Sequence, residues 1–194
     1  MIRIAGIDYE SASVQEREKF SFTASEAADF LARLRHKTSE CVLLSTCNRT
    51  ELCLVSDLDP AELLQSARGS GRLFSLSGRE AVRRVFEIAA GLRSQVPLDE
   101  QILTQMKDAL ALSQSLKCSG PLLNKLFSTA IATGKKVRTE FKEMPHDTSI
   151  AEIACDLAKA EFKELRGRRA LVIGSGAIGQ LCASLLQKGA PQSP

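Results

Sequence analysis

The stretch from Cys41 to Val55, CVLLSTCNRTELCLV, decides the fold of the first part of the chain. Its two ends, Cys41–Leu44 and Leu52–Val55, are apolar runs of four residues, which is typical of short buried strands. Between them lie seven residues that carry hydroxyl, thiol, amide and charged groups, Ser45–Glu51. The pattern therefore predicts two strands joined by a polar turn, with Cys47 near its middle.

Cys47 is a candidate nucleophile because of where it lies. A thiol attacks as its thiolate, and a free cysteine with a pKa of about 8.5 is mostly protonated at neutral pH. A turn at the end of a strand would expose the thiol, and the nearby cation Arg49 would favour the thiolate. The alternative is an inert packing cysteine, which is the commoner fate of intracellular cysteines.

Composition indicates an ordinary soluble globular chain, long enough for one domain and part of another. Of the 194 residues, 44% are hydrophobic and 25% are charged. The sequence shows no signal peptide, no apolar run long enough to span a membrane, and no metal-ligand spacing among its six cysteines and two histidines. We therefore expect a cytoplasmic protein with reduced thiols, no metal site and no membrane association.

The net charge of +3 is too small to predict nucleic-acid binding from composition. Contact with RNA would have to use local clusters of basic residues. A solvated helix face without a partner is the simpler explanation of each cluster taken by itself. The two candidate clusters are Arg79, Arg83, Arg84 and Arg93, and Lys135, Lys136 and Arg138.

Periodicity and capping signals predict strands and helices along the rest of the chain. Thr23 with Glu26 predicts a capping box, and Asp59-Pro60 predicts a helix start. The predicted strands are Ile2–Ile7 and Leu73–Leu76. The predicted helices are Val14–Phe20, Thr23–His36, one from Pro60 to Gly69, Gly78–Ala90, one from Asp99 to Ser115, Pro121–Lys142 and one from Thr148 or Ser149 to Glu164, with a turn at Met144–Asp147.

A glycine-rich segment near the end of the sequence predicts a nucleotide-binding turn. The apolar run Ala170–Ile173 predicts a strand, and Ile178–Lys188 predicts a helix. Between them, Gly174, Gly176 and Gly179 give the GxGxxG spacing in the context that a dinucleotide fingerprint requires. A plain strand–turn–helix is the alternative. The ribose-contacting position expected about 20 residues later is missing, so we expect an incomplete binding domain.

The heptapeptide STCNRTE resembles the active-site signature of glutamyl-tRNA reductases. Further segments resemble the family in the same order: Gly91-Leu92 with Ser94, Glu100–Leu103 with Gln105, Lys136–Glu140 and Gly174–Gly179. The resemblance implies an α/β fold. It places an α+β catalytic domain at 1–147. A linker helix and the truncated start of a Rossmann-type NAD(P)-binding domain would follow at 148–194.

The resemblance also implies a mechanism and its partners. Cys47 would attack glutamyl-tRNA to form a thioester, which NADPH would reduce to glutamate-1-semialdehyde for tetrapyrrole (haem) biosynthesis. Asn48 and Arg49 would orient the glutamyl group. The other implied substrate residues are Thr46, Ser94, Asp99, Glu100, Gln101 and Gln105, and the cofactor residues are Gly174, Ser175, Gly176, Ala177, Ile178 and Gly179. The family also implies the downstream semialdehyde aminotransferase as a partner, and a homodimer whose dimerisation region is absent here.

Three departures from the family pattern leave other functions open. Arg84 stands where the family has a histidine that could handle protons, Arg93 replaces an aspartate, and Leu98-Asp99 replaces a glycine–glutamate pair. We expect a chain that forms the thioester but reduces it poorly. The alternatives are a degenerate, non-catalytic homologue that binds tRNA or a protein partner, and a small NAD(P)-linked dehydrogenase.

Overall fold

A computed structural model describes residues 1–96, 98–99, 101–141, 150–163, 165 and 167–189. The chain divides into two compact units, Met1–Phe141 and Lys142–Pro194. Unit 1 contains the cysteine hairpin, and unit 2 contains the glycine-rich turn. The predicted turn at Met144–Asp147 and the predicted caps Thr148 and Ser149 lie outside the described residues.

Unit 1 is built on a four-stranded antiparallel sheet. Its strands are β1 (Ile2–Asp8), β2 (Glu40–Ser45), β3 (Arg49–Val55) and β4 (Phe74–Ser77), in the spatial order β2-β3-β1-β4. With the helices between them, these strands give the β-α-β-β-α-β connectivity of the ferredoxin-like motif. The predicted strands are confirmed, and β4 lies at an edge. β3 begins three residues earlier than predicted, so Arg49 belongs to the strand and not to the turn.

Three helices cover one face of the sheet: α1 (Val14–Phe20), α2 (Ala24–Leu34) and α3 (Pro60–Arg68). The predicted capping box at Thr23 and Glu26 is confirmed, and Asp59 caps α3 with its carboxylate. Each cap accepts a backbone N–H that the first helical turn leaves without a partner. The core on this face comprises Ile7, Phe20, Ala27, Phe30, Leu31, Leu34, Cys41, Leu43, Leu52, Leu54, Leu64 and Cys118.

Three further helices cover the opposite face: α4 (Gly78–Ala89), α5 (Gln101–Ser115) and α6 (Pro121–Glu140). Side chains alternate between the faces of a strand, so successive β3 residues contribute to different cores. The core on this second face comprises Ile4, Val42, Leu44, Cys53, Ala81, Val85, Ile88, Ala89, Ile102, Leu103, Met106, Ala109, Leu110, Leu123, Leu126, Phe127, Ala130 and Ile131. The α/β class predicted from the sequence is therefore confirmed, with helices on both faces of one sheet.

Unit 2 contains the helices α7 (Ile150–Phe162) and α8 (Ala177–Gly189). The two helices pack together around Ala151, Cys155 and Cys182. The strand predicted at Ala170–Ile173 is wrong: this segment is not a strand in the structure. A strand is defined by hydrogen bonds to a neighbour, and no strand lies beside it among the described residues of the unit.

None of the described helices is long and apolar enough to cross a membrane.

Candidate active site at the Cys47 turn

Thr46 holds the turn between β2 and β3 in shape. Its Oγ1 accepts hydrogen bonds from the backbone N–H groups of Asn48 and Arg49, each at 3.2 Å. Its own N–H donates to the Arg49 carbonyl oxygen at 2.8 Å. A threonine hydroxyl that bonds to the following backbone fixes a tight turn without further residues. Cys47 therefore lies at the tip of a rigid turn, and the structure gives Thr46 a local role beside its predicted substrate contact.

Cys47 is the one exposed cysteine of the six. Burial raises the pKa of Cys41 to about 12, and burial likewise raises the pKa of Cys53. Those thiols are inert because an apolar environment disfavours the thiolate. No group of three or more His, Cys, Asp or Glu side chains that could hold a metal occurs in the part of the chain that the structure describes. Nucleophilic chemistry in unit 1 therefore has one accessible thiol.

Arg49 lies at the start of β3 and points away from the turn tip. Its side chain is buried, with 2% of the residue exposed. Nη1 donates to Glu51 Oε1 at 2.9 Å, and Nη2 donates to the carbonyl oxygen of Arg93. The two-residue spacing of Arg49 and Glu51 places both side chains on the same face of the strand, where they meet. The charge of Arg49 is thus shared with a carboxylate.

Arg84 of α4 completes a buried ion cluster below the turn. Its Nη2 lies 2.6 Å from Asp8 Oδ2 and 2.7 Å from Glu51 Oε1, and its Nε donates to Glu51 Oε2 at 3.0 Å. The guanidinium also lies 3.9 Å from the centroid of the Phe74 ring. We call Asp8, Arg49, Glu51 and Arg84 the buried ion cluster. It contains two cations and two anions, so its charges compensate each other.

The pKa values in the cluster follow from this pairing. Burial would lower the pKa of Arg84, but the hydrogen bonds and charges of Glu51 and Asp8 outweigh it and raise the pKa. Burial would raise the pKa of Asp8, but the hydrogen bonds from Arg84 and Ser11 and the Arg84 charge hold it below its usual value. Both groups are therefore ionised at neutral pH.

Gly6 makes room for the cluster. It lies in β1 between Glu51 of β3 and Phe74 of β4, opposite both in the sheet register. A Cβ at this position would meet the Thr50 carbonyl oxygen and would lie 2.9 Å from Glu51 Cα and 2.9 Å from Glu51 Cγ. Because Gly6 has no side chain, the Glu51 side chain can pass beside it to reach Arg84 of α4.

Most arginines of the two basic clusters are buried or form ion pairs within the protein. Arg84 and Arg138 are buried. Arg83 pairs with Glu87, and Arg93 pairs with both Glu10 and Glu87. Arg79, Lys135 and Lys136 are the exposed members of the two clusters with no ion pair among the described residues, and contact of either cluster with RNA stays a prediction.

The segment from Gly91 to Asp99 is brought against the site by two buried arginines. Arg49 bonds to the carbonyl of Arg93, while Arg138 donates from Nε to the Leu98 carbonyl at 2.9 Å and from Nη2 to the Asp99 carbonyl at 2.5 Å. The two arginines thus pair backbone carbonyl oxygens of this segment. Ser94, a predicted substrate residue, directly follows Arg93 in the sequence.

Of the remaining predicted substrate residues, Gln101 and Gln105 lie in the first turns of α5 and Asp99 precedes it. The Asp99 carboxylate accepts the N–H of Gln101 at 3.0 Å, so it caps this helix. Gln101 is exposed and Gln105 is half-buried. Glu100 lies outside the described residues.

Arg17 is a site residue that the sequence analysis missed. From α1, its Nε donates to the Cys47 carbonyl oxygen at 3.5 Å and its Nη1 donates to the Ala12 carbonyl at 2.7 Å. The signal was available, because Arg17 and Phe20 are three residues apart and therefore share the helix face that packs on the sheet. The turn thus has one arginine below it, in a neutral cluster, and one at its side.

The glycine-rich turn in unit 2 has a backbone conformation that depends on its glycines. Gly174 has a φ of +112°, which other residues rarely adopt, and a Cβ on Gly179 would meet the Gly174 carbonyl oxygen. A Cβ on Gly176 would meet nothing within 4 Å, so that side of the turn is open. The α8 helix begins directly after it, and the side chain of Gln180 donates to the Ser175 carbonyl at 2.9 Å. These residues fit a pyrophosphate at a helix N-terminus.

Comparison with known proteins places this arrangement in a family. The profile of the glutamyl-tRNA(Glu) reductase N-terminal domain matches residues 5–141. The glutamyl-tRNA reductase of Rubrobacter xylanophilus is 41% identical over 194 residues, an alignment that covers 93% of this chain and 45% of that protein. The glutamyl-tRNA reductase of Geobacillus kaustophilus is 34% identical over 204 residues, covering 95% of this chain and 44% of that protein.

A solved structure gives the same result. The glutamyl-tRNA reductase of Methanopyrus kandleri matches with a TM-score of 0.73 and 32% identity, over 97% of this chain and 47% of that one. The chain therefore spans about half the length of the relatives it matches. The profile covers nearly all of unit 1, including the Cys47 turn and the buried ion cluster. The chain belongs to the glutamyl-tRNA reductase family.

Proposed function

We propose that unit 1 carries out the acyl-transfer step of a glutamyl-tRNA reductase. The Cys47 thiolate forms a C–S bond to the glutamyl ester carbonyl carbon. The C–O bond to the terminal ribose of tRNA breaks, and the departing ribose oxygen takes up a proton. The single observation that carries this proposal is that Cys47, in an intact STCNRTE sequence, is the one exposed thiol of the chain. A thioester accepts hydride far more readily than a carboxylate does, which gives the acylation a purpose.

The residues around the turn supply orientation in this proposal. Asn48 is half-exposed beside Cys47 and can bond to the glutamyl group. We infer that Arg49 orients the glutamyl group, as the family pattern implies, from its buried position below the turn, where it bonds to Glu51 and to the Arg93 carbonyl. We infer that Thr46, Ser94, Asp99, Glu100, Gln101 and Gln105 contribute the other contacts implied by the family pattern.

The reduction step belongs to the cofactor turn of unit 2. We infer that Gly174, Ser175, Gly176, Ala177, Ile178 and Gly179 would hold the pyrophosphate of NADPH, with backbone N–H groups at the start of α8. When bound, NADPH supplies the hydride that converts the thioester into glutamate-1-semialdehyde. Production of semialdehyde from glutamyl-tRNA and NADPH, measured beside an intact relative, tests how far this chain carries the reduction.

The direct test is intact mass after incubation with glutamyl-tRNA. We expect a mass gain of one glutamyl residue that hydroxylamine removes, as it does for thioesters. Cys47→Ser should show no gain. Cys182→Ser, which removes the half-buried thiol of unit 2, should gain mass as the wild type does. Absence of an adduct while tRNA still binds would reject acyl transfer in favour of a tRNA-binding homologue.

The partners of the whole reaction follow from the same proposal. Glutamyl-tRNA is the substrate. The semialdehyde product is reactive, and an aminotransferase that consumes it is the expected downstream partner. A reducing, cytoplasmic location would keep the exposed Cys47 thiol free for acylation.

A further inference from the structure

Two arginines lie near the Cys47 turn, and carboxylates offset the charge of only one of them. Arg49 lies in the buried ion cluster, where two carboxylates offset two guanidinium groups. Arg17 donates to the carbonyl oxygens of Cys47 and Ala12 and forms no ion pair with any carboxylate in the described part of the chain. Its positive charge therefore remains uncompensated beside the turn.

The position of Arg17 is fixed by the surrounding structure. Only 9% of the residue is exposed. The Ser13–Glu16 capping box fixes the start of α1, and Phe20 anchors its end in the core. The segment after α1 is tied to the same hairpin, since the Phe22 N–H donates to Ser45 Oγ at 3.0 Å. The guanidinium is thus held against the turn and is not a mobile surface group.

We propose that Arg17 is a positioning residue for Cys47: it holds the Cys47 carbonyl and gives the turn an uncompensated positive charge that favours electrophiles carrying an anionic group. The inference rests on the proposed function in taking Cys47 as the reacting group. An acyl donor with a carboxylate is attracted to this turn, whereas a neutral donor of the same size is not. Arg49 cannot exert the same effect, since Glu51 shares its charge.

Alkylation of Cys47 by iodoacetate and by iodoacetamide tests this charge. Both reagents react with the thiolate and lose iodide, but one carries a carboxylate and the other a neutral amide. The ratio of the two rates therefore cancels the thiolate fraction and reports the charge beside the sulfur. Rates are measured on the Cys47 peptide by mass spectrometry, so reaction at Cys182 does not contribute.

The full chain in its folded state should show a higher ratio than the same chain unfolded in urea, by about threefold to tenfold. Arg17→Gln should lower the folded ratio by about the same factor. Arg17→Lys keeps the charge but cannot donate to the Cys47 and Ala12 carbonyls at once from a planar guanidinium. It should retain most of the ratio. Lys19→Gln is the matched control, because it removes one exposed cation from the same helix; it should leave the ratio within about twofold.

Two results would overturn the inference. One is a ratio in the folded wild type no higher than in urea, which decides the matter even if Arg17→Gln does not fold. The other is a folded Arg17→Gln protein, checked by circular dichroism, with the ratio of the wild type.

The same measurements distinguish failure of this inference from failure of the proposed function. A Cys47 with an Arg17-dependent ratio that glutamyl-tRNA never acylates refutes acyl transfer alone, and an acylated Cys47 with an insensitive ratio refutes the role of Arg17 alone.

Discussion

Units 1 and 2 each place a functional turn after an apolar segment, but only unit 1 surrounds that segment with structure. In unit 1 the β2 residues Val42 and Leu43 are buried, because β3 pairs with this strand and helices cover both faces of the sheet. In unit 2, Leu171 is 86% exposed and Ile173 is 91% exposed. The two segments are similar in sequence, so the difference comes from what lies beside them. Apolar sequence makes a strand only where a partner supplies hydrogen bonds and cover.

The two turns keep their shape for different reasons. The Cys47 turn is held by neighbours, namely Thr46, Arg17 and the buried ion cluster below β3. The glycine turn is held by its own backbone, through the positive φ of Gly174 and the close approach of Gly179. Substitutions that damage packing should therefore be costly in unit 1 and nearly silent at the exposed segment of unit 2.

Arg84→Met should have the largest effect. It leaves Asp8 and Glu51 buried with one cation between them, and removing one partner of a buried ion pair costs about 3–5 kcal/mol. The measurement is urea unfolding followed by far-UV circular dichroism. Arg83→Met is the matched control at the preceding position of α4, where the Arg83 side chain is 78% exposed and its pair with Glu87 should be worth under about 1 kcal/mol. Equal losses in the two variants would show that the cluster does not stabilise unit 1.

Gly6→Ala should have the next largest effect. The added methyl meets the Thr50 carbonyl and the Glu51 backbone, which cannot move without breaking the sheet register. Overpacking of this kind costs about 1–3 kcal/mol. Ser75→Ala in the edge strand, at an exposed position, should change the free energy of unfolding by less than about 0.5 kcal/mol. A Gly6→Ala protein as stable as Ser75→Ala would mean that the cluster has room to adjust.

Local signals in the sequence predicted most of the elements of unit 1. The capping box at Thr23, the proline after Asp59 and the apolar runs around Cys47 each act within a few residues, so they need no knowledge of the fold. The exposure of Cys47 followed from the turn for the same reason. What the local signals missed was set by distant partners. Arg84 was taken as a surface cation, although Ala81, Arg84 and Ile88 recur at helical spacing on the buried face of α4.

The failed strand in unit 2 shows the same limit. Ala170–Ile173 has the composition of a strand, but a strand requires a neighbour that the described residues do not contain. Likewise, Arg49 was expected in the turn but belongs to β3. The length of β3 is set by its pairing with β1, which local sequence does not reveal, and the contact of Arg49 with Glu51 depends on that length. Sequence reasoning predicted that Cys47 is exposed, which the structure confirms, and it misplaced the charges around the turn.

Acid should weaken unit 1 through Asp8. The folded pKa of Asp8 lies below 3.8, its ordinary value in the unfolded chain. Its contribution is therefore complete above about pH 3.8 and is lost as the pH falls through the folded pKa. Asp8→Asn should flatten the dependence of unfolding free energy on pH in that window by at most about 1.4 kcal/mol per pH unit, the limit for one proton. A variant with the slope of the wild type would show that Asp8 is not held by Arg84.

Ile173→Ser should have the smallest effect. The side chain is 91% exposed, so the substitution removes almost no buried apolar area, and we expect a change within about 0.5 kcal/mol in the same urea experiment. Thermal unfolding of the variant should likewise match the wild type. A loss above about 1 kcal/mol would contradict the comparison between the two units, because an exposed isoleucine cannot contribute that much. Such a loss would mean that Ile173 is covered in solution. A loss that grows with protein concentration would indicate a second copy of the chain, and a loss independent of concentration would indicate a contact within one molecule.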